Sequence, residues 1–123
     1  MILPTLLLAF LLGQASAPPA AAFQQAFERG LEALSQGQLE AAETAFQEAA
    51  GLQPGSAAVH YQLGEVSVRR GRPGEAIARF RRAIELQPTE PQPYLRLAVL
   101  QAQLQRFHDA QETVSSLLRA RPG

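Results

Sequence analysis

The chain has 123 residues, 46% of them apolar and 18% charged, and its eleven basic side chains balance its eleven acidic ones. That length holds one compact domain, and the composition is that of a folded chain rather than a disordered one. Zero net charge provides no field to draw in nucleic acid or anionic lipid, and the lack of Cys excludes disulfides, thiolate zinc sites and cysteine nucleophiles.

The N-terminus bears on location. Ile2 to Leu12 is almost wholly apolar, and Ala15-Ser16-Ala17 has the small-x-small pattern read by a signal peptidase. Residues 1–22 are therefore expected to be an export signal and short linker, cut after Ala17 or, to avoid Pro18 just past the cut, after Ala22. The apolar run is too short for a membrane span, which needs about 20 residues. No Arg or Lys precedes it, so an uncleaved anchor and a buried helix remain alternatives. No Cys follows it, which excludes a bacterial lipoprotein anchor. The expected location is periplasmic or secreted, or membrane-anchored if the signal is retained.

From Phe23 onward the chain repeats. Pro54, Pro88 and Pro122 are spaced 34 apart, and so are Ala42, Ala76 and Ala110. The same interval links Phe46, Phe80 and Val114; Gly30, Gly64 and Ala98; Ala49, Ala83 and Leu117; and Leu52, Leu86 and Ala120. Six columns on one period define three units, 23–56, 57–90 and 91–122.

Each unit predicts two helices. In the first, Gly37 is the break and Pro54 the stop. In the second, Ser56 is placed as an N-cap ahead of a helical stripe of Val59, Leu63, Val66 and Arg70. Gly71 ends that helix in the left-handed conformation, and Pro73 opens the next, where a missing amide hydrogen does no harm. Ala76, Ile77, Phe80, Ala83 and Ile84 form its apolar stripe before Pro88. In the third, Pro91 and Pro93 fit the first turn, and Gln105 takes the glycine position at a cost of order 1 kcal/mol. Gly30, Gly64 and Ala98 let the paired helix approach while Phe46, Phe80 and Val114 fill the space between units. One unit cannot bury its own apolar faces, so three stacked units are expected to share a core.

These features resemble the tetratricopeptide repeat. In the second unit the match runs Tyr61, Leu63, Gly64, Gly71, Ala76, Phe80, Ala83 and Pro88, and the resemblance covers residues 23–122. Arg29 departs from the family's Leu, and Ala26 and His60 from its bulky aromatic. The resemblance implies an all-α fold, an α-solenoid of three stacked antiparallel helix pairs in a right-handed superhelix. It also implies a concave face lined by the first helix of each unit. That face would comprise Gln24, Phe27, Glu28, Leu31 and Leu34, then Tyr61, Gln62, Glu65, Val68 and Arg69, then Gln92, Leu95, Arg96 and Val99. Its expected partner-binding residues are Phe27, Leu31, Tyr61, Gln62, Glu65, Arg69, Leu95, Arg96 and Val99, suited to a partner's peptide or helix. Some family members clamp acidic chaperone tails with Lys, Asn and Arg. The corresponding positions here are Phe27, Leu31, Gln62, Gln92 and Arg96, of which only Arg96 fits, so no such clamp is expected.

Every basic residue is Arg, and six of them (Arg69, Arg70, Arg72, Arg79, Arg81 and Arg82) fall in the second unit. The first unit carries −4 (one Arg, five Glu) and the second +2 (six Arg, four Glu). An acidic partner, or the acidic unit of a neighbouring molecule, is one use for these cations. The local use is stronger: Arg69 and Arg70 suit a helix C-terminus, and Glu75 with Arg79 and Arg81 with Glu85 are pairs four apart. Basic residues interleaved with stacking aromatics are lacking, so nucleic acid is not an expected partner. His60 falls on a packing side and His108 on the surface, and no nucleophile elbow, phosphate loop or metal-binding His pair is present. No enzyme, cofactor, metal or small-molecule substrate is expected. Arrays of this family often finish with an extra covering helix, whereas here Gln111 and Ser115 make the last helix more polar and Leu118 is expected to stay exposed. The expected function is thus an exported interaction scaffold. The alternative is a structural subunit of an envelope, secretion or pilus complex, self-associating or docking through that last helix.

Overall fold

The computed structural model describes residues 18–122, which form six helices and no strand. They are α1 (Pro19–Ser35), α2 (Leu39–Leu52), α3 (Ala57–Arg69), α4 (Pro73–Leu86), α5 (Pro91–Gln103) and α6 (Phe107–Ala120). Three-residue turns fold α1 onto α2, α3 onto α4 and α5 onto α6, and the pairs stack through α2 against α3 and α4 against α5. The result is the expected α-solenoid. The segment expected to hold the export signal, residues 1–17, lies outside the described residues. The first helix starts at Pro19, four residues ahead of the expected unit boundary, because a proline at the first helical position followed by three alanines favours helix.

Local chemistry sets the helix ends. Ser56 Oγ accepts from the Val59 amide at 3.4 Å, capping α3. Each turn within a pair closes with the same two hydrogen bonds. The Gly37 amide donates to Leu34 O and the Gln38 amide to Ala33 O, at 3.1 and 2.8 Å. Gly71 and Arg72 repeat this on Val68 and Ser67, and Gln105 and Arg106 on Ala102 and Gln101. This geometry needs a positive φ, found at Gly37 (73°), Gly71 (71°) and Gln105 (61°), so the third turn carries the strain foreseen for a side chain there.

The core is built on the small-residue columns. A Cβ added at Gly30 would lie 2.5 Å from the Phe46 ring, and one at Gly64 2.5 Å from the Phe80 ring. Both rings are fully buried. Phe46 joins Ala26, Leu34, Val59, Leu63 and Val66 in one cluster, and Phe80 joins Ile77, Leu97 and Leu100 in a second. Each cluster spans a seam between units, so neither is complete within one hairpin. In the third unit the pair becomes Ala98 with Val114: the first helix gains a methyl and the second gives up its ring.

Two expected ion pairs are replaced. Glu75 is met by Arg72 at 3.7 Å and Glu85 by Arg82 at 3.1 Å, each three residues apart, instead of by Arg79 and Arg81. Arg79 lines a cleft together with Glu75 and with Leu63 and Ser67 of α3, and Arg81 one shared with Tyr94, Asp109 and Glu112 of the third unit. The acidic first unit is answered within the chain, because Arg70 pairs with Glu43 and approaches Glu40 at 3.8 Å, while Arg72 lies 3.9 Å from Glu43.

Gly64→Ala should destabilise the fold by about 1–3 kcal/mol, since the buried Phe80 ring has no room to retreat. Combining it with Phe80→Val recreates the Ala98–Val114 pair. The two changes should therefore couple favourably by about 1 kcal/mol or more in a thermal or denaturant double-mutant cycle. Strict additivity would show that the ring does not press on the glycine.

Candidate functional site

The first helices of the three units, α1, α3 and α5, carry the expected groove residues, and the structure sorts them into three groups. Phe27 and Tyr61, one column of the repeat, are half-buried. Phe27 packs on Phe46 and Tyr61 on Phe80, both with ring centroids 5.6 Å apart, and Phe23 stacks on Phe27 at 6.0 Å. Much of their surface belongs to the core, so they form the floor of the face. Leu34 does not line it at all. It is buried in the first cluster, because a residue one turn beyond Leu31 already points at α2 and α3. Val68 likewise packs against the second cluster.

The polar members tie the units together. Gln92 donates to the Tyr61 hydroxyl at 3.2 Å, and Arg96 pairs with Glu65, both partners being largely buried. Each link spans 31 residues, which is the repeat period less about one helical turn, so side chains on successive first helices meet diagonally. Arg69 donates to Leu34 O at 3.2 Å, placing a cation at the C-terminal end of α1, where the helix dipole favours it. It stands in the last turn of its own helix, as the sequence predicts, and also reaches the end of the neighbouring one.

What is left outward is aliphatic. Leu31, Leu95 and Val99 are 38%, 51% and 49% exposed, and Gln24 and Glu28, hydrogen-bonded to each other at 3.1 Å, lie at the N-terminal side. Beside Tyr61 opens a cleft of about 220 Å³, walled by Ala57, Ala58 and Pro93 and rimmed by Gln62, Gln87, Glu90 and Gln92. Glu90 and Gln87 sit in the turn before α5, outside the set predicted from the first helices. The 31-residue diagonal is the signal that would have linked Tyr61 to Gln92.

The two histidines stand in different surroundings. His60 is buried, and its Nε2–H donates to the Pro54 carbonyl at 3.2 Å, as the Tyr94 hydroxyl, one period later, donates to Pro88 O at 2.7 Å. Both side chains fasten the turn before their helix. Nδ1 of His60 is buried with no hydrogen-bond partner among the described residues. Burial, with a smaller contribution from Arg79 and Arg82, lowers its pKa, and the Pro54 carbonyl opposes this. His108 is exposed at the start of α6. Among the described residues no group of His, Asp or Glu is arranged to hold a metal, and no helix is long and apolar enough to cross a membrane.

Two models of the tetratricopeptide repeat match the sequence, over residues 27–91 and 67–123. The chain belongs to the tetratricopeptide repeat family. A comparison with curated proteins finds no match. Among solved structures, the TPR2B domain of yeast Sti1 in complex with pHsp70 aligns with a TM-score of 0.76 at 23% identity, covering 81% of this chain and 80% of that one. The first repeat domain of Spaghetti (RPAP3), bound to the HSP90 peptide SRMEEVD, gives 0.74 at 16% identity, covering 84% and 82%. MamA from Desulfovibrio magneticus gives 0.75 at 18% identity, and there the chain spans 56% of the other's length. At these identities the likeness is one of fold.

The lowered pKa of His60 has a stability consequence with a definite sign. An unfolded imidazole protonates near pH 6.5 while the folded one resists, so the unfolded chain gains protons first as pH falls. Stability linked to His60 is complete above about pH 6.5 and is lost below it. His60→Tyr, which copies Tyr94, should flatten the fall in melting temperature between pH 7 and pH 5 relative to the unmodified chain. Parallel falls would remove His60 as the cause.

Proposed function

We propose that this repeat array is a non-enzymatic scaffold that holds a segment of another protein, extended or helical, on the concave face of α1, α3 and α5. The observation that carries it is the division of labour on that face. Its polar groups are largely engaged with one another, while Leu31, Leu95 and Val99 remain outward without apolar cover. Half-exposed aliphatic anchors on a rigid wall supply affinity, and the cleft beside Tyr61 offers room for one inserted side chain. Solved structures of this fold hold chaperone peptides in the Sti1 and RPAP3 domains, which supports the same use of the face here. The ligand differs. The clamp positions read Phe27, Leu31, Gln62, Gln92 and Arg96, and Arg96 is neutralised by Glu65.

The protein acts outside the cytoplasm, exported by the apolar segment Ile2–Leu12. A cut after Ala17 leaves α1 whole, whereas a cut after Ala22 removes its first turn, which favours the earlier position. A second function, assembly into a larger complex through α6, is favoured by a separate observation: α6 buries none of its residues.

Peptides selected on the full chain by display should lose about tenfold or more in affinity, roughly 1.4 kcal/mol, when Leu95→Glu and Val99→Glu are introduced together. The melting temperature should hold, because both side chains are outward. Retained binding with intact folding would remove the concave face from consideration. The peptide SRMEEVD should bind no tighter than about 1 mM by calorimetry, since one neutralised Arg cannot hold several carboxylates. Micromolar binding would overturn that part of the proposal.

A further inference from the structure

In the first two units the second helix meets the next unit through four columns of the repeat: Leu39 and Pro73, Glu43 and Ile77, Phe46 and Phe80, Ala50 and Ile84. The two phenylalanines are fully buried, and Leu39, Ala50 and Ile84 pack against the seam clusters. On α6 the same columns read Phe107, Gln111, Val114 and Leu118. No described residue covers them as α3 and α5 cover their counterparts: Phe107 is 62% exposed, Val114 39% and Leu118 63%. Six of the eight large apolar side chains exposed among the described residues belong to the third unit. Among the described residues the exposed apolar side chains are therefore concentrated in the third unit, divided between its concave face and α6.

We propose that the open face of α6 packs against α6 of a second copy, antiparallel about a two-fold axis. This rests on assembly through α6, and names the partner and the closure. Head-to-tail stacking would seat α6 on α1. The columns that receive a preceding unit are Val59, Leu63 and Val66 on α3, and on α1 they read Gln25, Arg29 and Glu32, all exposed, with Arg29 bonded to Glu48 at 3.0 Å. Covering that arginine and glutamate with Val114 and Leu118 would strip them of water without new partners. The outer face of α1 is a polar cap, and a filament cannot grow through it.

The stripe on α6 is complementary to itself. Its residues fall at 107, 111, 114 and 118, a spacing of four, three and four that reads the same in both directions. An antiparallel pair therefore sets Phe107 against the partner's Leu118 and Gln111 against the partner's Val114. The flanking positions, His108, Ala110, Ser115 and Leu117, include no Arg, Asp or Glu, so no like charges meet along the seam. Arg106 and Arg119 are already bonded within their own helix, to Asp109 at 3.1 Å and Ser116 at 3.0 Å. Phe107, Val114 and Leu118 offer roughly 300 Å² per copy, so their pairing covers about 600 Å², the size of a weak interface. A weak, concentration-dependent dimer fits that area, and two-fold closure stops growth there.

Sedimentation velocity of the full chain from about 5 to 500 μM should show a monomer–dimer equilibrium with no larger species. Phe107→Glu with Leu118→Glu should leave only monomer, with an unchanged circular-dichroism melt, since both side chains are outward. The chain has no Cys, so engineered thiols report alone. A mixture of Phe107→Cys and Leu118→Cys chains should cross-link to the mixed dimer faster than either variant to itself. A monomer at every concentration would overturn both the dimer and self-assembly through α6, leaving the concave face untouched. Self-linked Phe107→Cys dimers, open-ended polymers, or association that survives the double Glu change would overturn the two-fold pairing while leaving self-assembly standing.

Discussion

The structure depends on the absence of one methyl group, twice. At Gly30 and Gly64 a phenylalanine ring from the paired helix occupies the space a β-carbon would need. The close approach puts Phe46 and Phe80 wholly out of water, where they meet the first helix of the next unit as well as their own. Intra-unit and inter-unit packing are thus one contact. A hairpin of this kind has half a core by itself, and stacking supplies the other half.

Because each seam completes the one before it, the two ends of the array cannot be equivalent. The chain treats them differently. At the N-terminal end α1 replaces the apolar receiving stripe with Gln25, Arg29 and Glu32. At the other end the Gly–Phe pair relaxes to Ala98 with Val114, and the fully packed columns become exposed ones. Polar contacts supplement the apolar seam that Leu97 and Leu100 make with the second unit. Buried Gln101 accepts from Thr113 at 2.7 Å, while Gln92 and Arg96 reach back to the second unit.

The concave face follows from the same economy. Aromatic residues that a sequence pattern assigns to ligand contact, Phe27 and Tyr61, spend one side on the core phenylalanines. Charged residues assigned to specificity, Glu65, Arg69 and Arg96, hold neighbouring helices in register. What remains outward is Leu31, Leu95 and Val99 with the cleft beside Tyr61. That surface is aliphatic at its centre with Glu28 and Glu90 at its edges, and the nearby Arg69 and Arg96 are already engaged.

The sequence by itself determined the turns, the cap and the columns of the repeat. The Ser56 cap, the left-handed Gly37, Gly71 and Gln105, the helix-starting prolines and the small-residue columns were all legible, because capping and turn geometry involve neighbours within a few residues. Only the tertiary structure decided where side chains go once helices cross. Leu34 turned into the core, Arg69 reached the end of α1 and Arg70 the acidic Glu43 of the first unit, and Tyr61 and Glu65 found partners 31 residues away. A long side chain chooses among neighbours that stacking brings together, and the angle of that stacking is set by packing across the seams, which no single helix encodes.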